Sequence, residues 1–323
     1  MKLAIDIGFS SIKVAGAYGM ALKFPTAVAV YNKPQVEFGE SGKKPIFYDG
    51  KYYLIGEDAI GESDVKYSLE IDFLIEYAPL FIYKAIETVE SGAYGYGQNR
   101  INEISLGLPI EYYRRKMNDL WKKVEMFEVN GRTFNFFSEI KDGKVKCIHP
   151  QGGGILVDYI ARNNINPEYS KEKGFVLDIG FNTVIVVAFD EGYTGVSENS
   201  KQYSKLGISR IAEDLSQKIA REYGIDDETK IETAEILLKK SIKNYGKTID
   251  LSEHIAGAMS NYMESIMLRL QSDYERKLRQ SDKLIIAGGG AYYIKNNLPE
   301  RYKGMSHIID IPEFSNARGF YLL

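Results

Sequence analysis

Apolar residues recur along this chain in two rhythms. Short unbroken runs read as strands covered on both faces, and residues spaced three and four apart read as helices. The first run, Lys2 to Ile7, ends in Asp6-Ile7-Gly8. A polar turn, Phe9-Ser10-Ser11, leads into a second run from Ile12 to Ala17, which predicts strand, tight turn, strand. Residues 31–68 are richer in glycine, proline and charge and read as a small insertion; Asp49-Gly50 between two aromatic runs predicts a hairpin within it. Asp72 to Ser91 carries Phe73, Tyr77, Leu80, Phe81 and Ala85 at helical spacing. A buried-type strand, Ile101 to Leu108, stops at Pro109, which opens a charged helix through Trp121; Asn130-Gly131 predicts another hairpin. Pro150-Gln151-Gly152-Gly153-Gly154 then enters a helix from Ile155 to Arg162.

The opening pattern returns in the second half. Gly174 to Ile179 is an apolar strand ending in Asp178-Ile179-Gly180, Phe181-Asn182-Thr183 makes the turn, and Val184 to Phe189 is the return strand. After Tyr193 to Val196 the pattern becomes mostly helical. The longest helix, Ser252 to Gln280, places Ile255, Met259, Tyr262, Ile266, Leu270 and Tyr274 on one core-facing stripe. Lys283 to Ala287 is a last internal strand, closed by Gly288-Gly289-Gly290. A short strand, Ile308 to Ile311, and a helix from near Asn316 end the chain.

Composition narrows the function classes. The chain has 323 residues, enough for two domains with cores of their own. Lysine plus arginine number 41 and aspartate plus glutamate 44, a balance that argues against a protein binding nucleic acid through net charge. A single cysteine, Cys147, excludes a disulfide framework and a zinc site built on several thiolates. The three histidines, His149, His254 and His307, lie far apart, so neither a histidine metal site nor a triad is expected. No apolar run approaches the roughly 20 residues of a membrane span. Asp6 comes too early for a signal peptide, and a cytoplasmic location is expected.

The candidate chemistry lies in the repeat. Ala4-Ile5-Asp6-Ile7-Gly8-Phe9-Ser10-Ser11-Ile12 matches Val176-Leu177-Asp178-Ile179-Gly180-Phe181-Asn182-Thr183-Val184, with small polar residues after the glycine in both copies. A glycine turn lets backbone approach a ligand, and its successive N–H groups converge on an anion. Two such turns facing each other across a cleft would grip a polyphosphate. An aspartate before each turn makes sense beside a hydrated Mg²⁺, which keeps several waters and needs few carboxylates. The plainer alternative is two unrelated hairpins that use Asp and Gly for turn geometry. Gly288-Gly289-Gly290 lets backbone pass close to a ring or ribose. Gln151 suits the orientation of a water by hydrogen bonds without itself taking a proton. Each of these last two signals is weak alone.

Together, Asp6-Ile7-Gly8 with Lys13, Gln151-Gly152-Gly153, Asp178-Ile179-Gly180 and Ala287-Gly288-Gly289-Gly290-Ala291 resemble, in order, the five-part nucleotide signature of the actin superfamily, which also holds sugar kinases and heat-shock chaperone ATPases. The ending, Asp310 to Phe320, resembles the C-terminal motif of the ParM/StbA group of plasmid-segregation actins. The resemblance implies an α/β, actin-like ATPase fold: two ribonuclease-H-like domains around a nucleotide cleft. Domain I would span 1–157 plus 306–323, with the insertion 31–68, and domain II would span 158–305. It implies Asp6 and Asp178 holding Mg²⁺ through water. Phosphate would be bound by Gly8, Ser10, Ser11 and Lys13 on one side and by Gly180, Asn182 and Thr183 on the other. Gln151 would place the attacking water, so the catalytic set is Gln151, Asp178 and Asp6. Gly288, Gly289 and Gly290 would line the adenosine pocket, Gly207 the ribose side, and Glu235, on a helix from Glu232 to Lys240, would contact the ribose.

The function this implies is an ATPase, with ATP or GTP and Mg²⁺ as cofactors, that polymerises with itself and serves DNA segregation. A DNA-binding adaptor of ParR type would hold the filament, with no direct nucleic-acid or membrane contact. The alternatives are another cytoskeletal actin-like filament and a small-molecule kinase of the same fold, for which no distinctive general base stands out in the sequence.

Overall fold

A computed structural model describes residues 1–32, 42–68, 70–93, 100–224, 237, 239–294 and 297–323. Leu3, Ala4, Ile5 and Ile7 are all buried, as a strand covered on both faces requires. With the strands of the two large sheets numbered in chain order, this strand is β1 (Lys2–Ile7). It sits at the centre of a sheet with β2 (Ser11–Ala15), β3 (Ala21–Pro25), β4 (Glu103–Leu108) and β5 (Ile148–Pro150). The order is β5-β4-β1-β2-β3; β1, β2 and β3 are antiparallel neighbours, and β4 and β5 add in parallel.

The second sheet repeats this plan. Its strands are β6 (Gly174–Ile179), β7 (Thr183–Asp190), β8 (Thr194–Ser204), β9 (Lys283–Ala287) and β10 (Ser306–Ile308), in the order β8-β7-β6-β9-β10. The first three are again antiparallel and the last two parallel. Register is preserved as well. Asp6 lies opposite Lys13 on β2 and Gly107 on β4, and Asp178 lies opposite Ile185 on β7 and Ala287 on β9. Both aspartates therefore stand near the carboxyl end of a central strand, where open α/β sheets bind ligands.

The chain divides into two units, Met1–Asp158 with Phe314–Leu323, and Tyr159–Glu313. The first has a core built on Leu3, Ile5, Phe81, Ile82, Leu120 and Trp121, the second a core built on Leu177, Val186, Leu215, Met263 and Leu284. The boundary differs from the sequence expectation, which placed 306–313 in domain I. Ser306–Ile308 pairs with β9 through Leu284↔Ser306 and Ile286↔Ile308, so hydrogen bonding commits this segment to the second sheet.

Other differences have local causes. The helix expected over Asp72 to Ser91 is two helices, Ile71–Glu76 and Ala78–Thr88, because Pro79 starts a new first turn. β8 runs on to Ser204, where a mostly helical region was expected. As an edge strand it pairs only with β7, and its polar sequence lacks the apolar signal of a central strand. The hairpin Ser241–Asn244/Lys247–Asp250 gave no sequence signal because its turn is Tyr245-Gly246 rather than Asn-Gly or Asp-Gly. The last strand ends at Ile308, and Ile311, expected within it, has φ 49°. The insertion carries the expected hairpin, Ile46–Tyr48 with Lys51–Ile55, joined by Val28–Val30. The helix expected from Glu232 to Lys240 lies mostly outside the described residues.

Candidate functional site

The first turn joins β1 to β2 through Gly8-Phe9-Ser10. Thr26, fully buried just past β3, holds it from behind. Its hydroxyl donates to the Gly8 carbonyl (2.6 Å) and its N–H to the Ser10 carbonyl (3.1 Å). A planar trans peptide points its N–H opposite to its carbonyl. The N–H groups of Phe9 and Ser11 therefore face away from Thr26, a disposition suited to an anion. A Cβ on Gly8 would lie 2.9 Å from Lys13 Nζ, so glycine here makes room for an ammonium group over the turn.

Asp6, Gln151 and Lys13 meet at this end of β1. Asp6 is buried and accepts a hydrogen bond from Gln151 Nε2 at 2.7 Å. Burial pushes its carboxyl above the usual carboxylate range; the Lys13 charge and the Gln151 bond oppose that shift without cancelling it. Gln151 leaves β5 with its own N–H on the Leu108 carbonyl (2.8 Å), and the next N–H, of Gly152, donates to Asn316 Oδ1 (2.9 Å).

Asn316 belongs to the C-terminal helix, Ser315–Leu322. That helix meets the helix Gly153–Arg162 backbone to backbone: a Cβ on Gly319 would lie 1.8 Å from the Gly154 carbonyl oxygen, so only glycine fits. A buried ion pair fastens the contact. Asp158 accepts from Ser315 Oγ (2.7 Å) and from Arg318 Nε (3.0 Å) and Nη2 (2.7 Å). The Phe320 ring fills the space over Gly107 and stacks on His149 at 5.5 Å. Burial, with the Lys2 charge adding to it, lowers the His149 pKa to about 4.

The second turn, Gly180-Phe181-Asn182, is held by a different device. The N–H groups of Ile208, Ser209 and Gly207 donate to the carbonyls of Gly180 (3.1 Å), Phe181 (2.8 Å) and Asn182 (3.2 Å) in turn. With three successive carbonyls committed to the same segment, the N–H groups of Phe181, Asn182 and Thr183 face the other way. Asn182 is buried, and its Oδ1 has no hydrogen-bond partner. A buried polar atom without a partner costs about 1–3 kcal/mol, and a ligand that supplied one would recover it.

Glycine is required at 207 because a Cβ there would lie 2.2 Å from the Phe181 carbonyl oxygen; packing against the turn accounts for it. Gly288, at φ 83°, fits its missing side chain against Asp178 Oδ1, and Gly290 fits against Ile179. Gly289 differs: the nearest atom in its Cβ direction is Glu313 Cβ at 4.0 Å, so its face is open to a ligand.

The candidate residues thus gather in two sets. Asp6, Gly8, Ser10, Ser11, Lys13 and Gln151 belong to the first unit, and Asp178, Gly180, Asn182, Thr183, Gly207 and Gly288 to Gly290 to the second. Glu235 lies outside the described residues. The sequence reading missed the supports. Thr26 carries no motif, and Asn316 and Arg318 stood in the quoted C-terminal stretch without a role. Among the described residues no cluster of three or more His, Cys, Asp or Glu could hold a metal ion.

Residues 4–149 match the N-terminal domain of the actin-like proteins, and residues 176–300 match the C-terminal domain of the archaeal MreB-like actin homologues. Gln151 and the C-terminal helix fall outside both spans. A search of curated protein sequences finds no match. Among solved structures, the archaeal actin homolog Ta0583 in complex with ADP is 19% identical with a TM-score of 0.77, over 99% of this chain and 97% of that one. A ParM from Clostridium botulinum, solved as a 15-stranded filament, is 20% identical with a TM-score of 0.77, over 99% and 97%. The actin-like protein Alp7A is 14% identical with a TM-score of 0.72, over 99% and 94%. The fold is therefore the actin fold. With both sequence matches falling on actin-like domains, the chain belongs to the actin-like protein family.

Proposed function

We propose that the chain is a nucleoside triphosphatase that assembles into filaments when it binds ATP with magnesium, and that its task is the segregation of DNA. The observation that carries this reading is the recurrence, once in each unit, of a buried aspartate followed by a glycine turn whose carbonyls are held from behind. Such a turn offers N–H groups to phosphate oxygens without rearrangement, which favours binding and stabilises charge during transfer. Lys13 adds a cation to the first turn, and the Asn182 side chain adds a polar group to the second.

The donor set fits Mg²⁺. This ion is usually held by one or two carboxylates, with waters and phosphate oxygens completing the shell, and no larger protein cluster is needed. When bound, the ion would neutralise charge on the phosphates. Asp6 and Asp178 are the residues to hold it through water, and Gln151 is the residue to orient the attacking water. The two units correspond to actin-like domains I and II. The similarity to a filament-forming ParM supports self-assembly, and the ParM/StbA-like ending supports a segregation role with a ParR-type adaptor. The match of 176–300 to archaeal MreB-like homologues favours, as a second reading, a cytoskeletal filament without DNA cargo. Among the described residues no helix is long and apolar enough to cross a membrane. A cytoplasmic location belongs to the proposal of an ATP-driven filament that moves DNA.

Pelleting and electron microscopy with ATP, GTP or no nucleotide, each with and without magnesium, test the reading. Filaments dependent on nucleotide and magnesium, with phosphate release, support it; nucleotide turnover with no polymer at any concentration overturns the filament part.

A further inference from the structure

Gln151 is caught by both of its peptide planes. Its own N–H donates to the Leu108 carbonyl at 2.8 Å, and the N–H of Gly152, in the following plane, donates to Asn316 Oδ1 at 2.9 Å. Two fixed planes fix φ and ψ between them. The backbone of Gln151 is thereby set with its side chain on Asp6, Nε2 to Oδ1 at 2.7 Å. Gly152 has φ 85°, in the left-handed region that glycine adopts and most side chains do not. Asn316 holds its amide from a buried position. Its own helix is seated by the Gly154–Gly319 backbone contact and by the Asp158–Arg318 pair.

We propose that Asn316 is a positioning residue for the reaction at Gln151, an inference that rests on the triphosphatase reading above. Its role is indirect: Asn316 fixes the peptide that aims the glutamine. The C-terminal motif then has a mechanical role. Asp158 is the last residue before the chain leaves the first unit and Phe314 the first after it returns. Ser315 and Arg318 tie those two points together, and Asn316 passes the resulting position to Gln151.

The test compares Asn316→Ala, Asn316→Asp, Gln151→Ala and the double variant Gln151→Ala/Asn316→Ala in the full chain. Exchange of the Gly152 amide is followed together with kcat for ATP hydrolysis and nucleotide affinity. In Asn316→Ala the Gly152 amide should lose at least about tenfold in protection, as a freed amide does. Its kcat should fall about 10- to 100-fold while nucleotide affinity stays within about threefold, the pattern of a lost transition-state interaction. Asn316→Asp keeps the acceptor and should restore protection and rate. In the Gln151→Ala background Asn316→Ala should cost nothing further in kcat, because both changes disable one device. Unchanged Gly152 protection, or an equal loss of rate with and without Gln151, overturns the proposal. Should Asn316→Ala fail to fold, Asn316→Ser, too short to reach the amide, is read by the same criteria. A wild-type chain without nucleotide turnover would overturn the triphosphatase reading, whereas the amide measurement judges the positioning by itself.

Discussion

His149 gives a quantitative handle on the first unit. It lies on β5, two residues before Gln151, stacked on Phe320, with Nε2 buried and without a hydrogen-bond partner. Protonation would place a charge in that unsolvated position, and the pKa falls from 6.5 to about 4. The sign follows directly. Between these values the unfolded chain carries a proton on this residue that the folded chain refuses, so acid favours unfolding and stability is lost as pH falls through 6.5 towards 4. Integrating the linkage gives a loss of about 2 kcal/mol by pH 5 and about 3 kcal/mol by pH 4 from this residue alone, good to about a factor of two. His149→Gln keeps a polar side chain but cannot titrate, so it should lose about 2 kcal/mol less than the wild type between pH 7.5 and pH 5. The chain has one tryptophan, Trp121, buried in the core of the same unit. Urea unfolding followed by its fluorescence therefore reads this unit selectively. Taking the difference between the two proteins cancels the other titrating groups. If both lose the same stability over this pH range, His149 is not buried neutral as described and the reasoning fails.

Asp178→Ala should abolish magnesium-dependent hydrolysis, and Gln151→Ala should slow it by about two to three orders of magnitude, the scale of one lost positioned polar group; phosphate-release assays on both decide whether these residues act as assigned. Arg318→Ala leaves the Asp158 carboxylate buried without its guanidinium, at a cost of about 3 kcal/mol; Trp121 fluorescence in denaturant measures the loss, and a change under about 0.5 kcal/mol would refute the importance of the pair. Gly207→Ala forces a Cβ to within 2.2 Å of the Phe181 carbonyl oxygen, so the second turn must move; nucleotide affinity measured by titration should fall at least about tenfold if that turn binds phosphate.

What could be read in the sequence was the part in which local pattern and ligand chemistry coincide. β1, β6 and β9 were placed to the residue or nearly so, because central strands are apolar on both faces and end at glycine turns. β8 was not, because an edge strand with a polar sequence carries no such run. The Tyr245-Gly246 hairpin was hidden because a tyrosine at φ 47° breaks the usual turn preference. In the two candidate turns, Asp6 and Gly8, and Asp178 and Gly180, announced themselves by repetition, whereas Thr26 and Asn316 act over sequence separations of 18 and 164 residues. No local pattern encodes a contact of that kind; it exists only once the sheet and the C-terminal helix have packed.

The two copies of the turn explain why the unbroken run of identity between the two hairpins is confined to four residues, Asp-Ile-Gly-Phe. Both sheets keep the same strand order and register, and both turns have their carbonyls tied from behind. The ties come from different elements: a threonine side chain and N–H from beyond β3 in one unit, three backbone N–H groups leading into the helix Ser209–Tyr223 in the other. Lys13 in the first copy corresponds in register to Ile185 in the second, so the strand position that carries a cation beside the first turn is apolar beside the second. Any donor that reaches a carbonyl from behind will turn the N–H groups outward, which leaves the support free to diverge, whereas a turn that took a ligand against bare backbone would have to keep its own residues. Divergence behind the turn with constancy in it is what shared ligand chemistry on a duplicated scaffold would leave, and two hairpins alike only in turn geometry would give no reason for an aspartate buried at the same register in both.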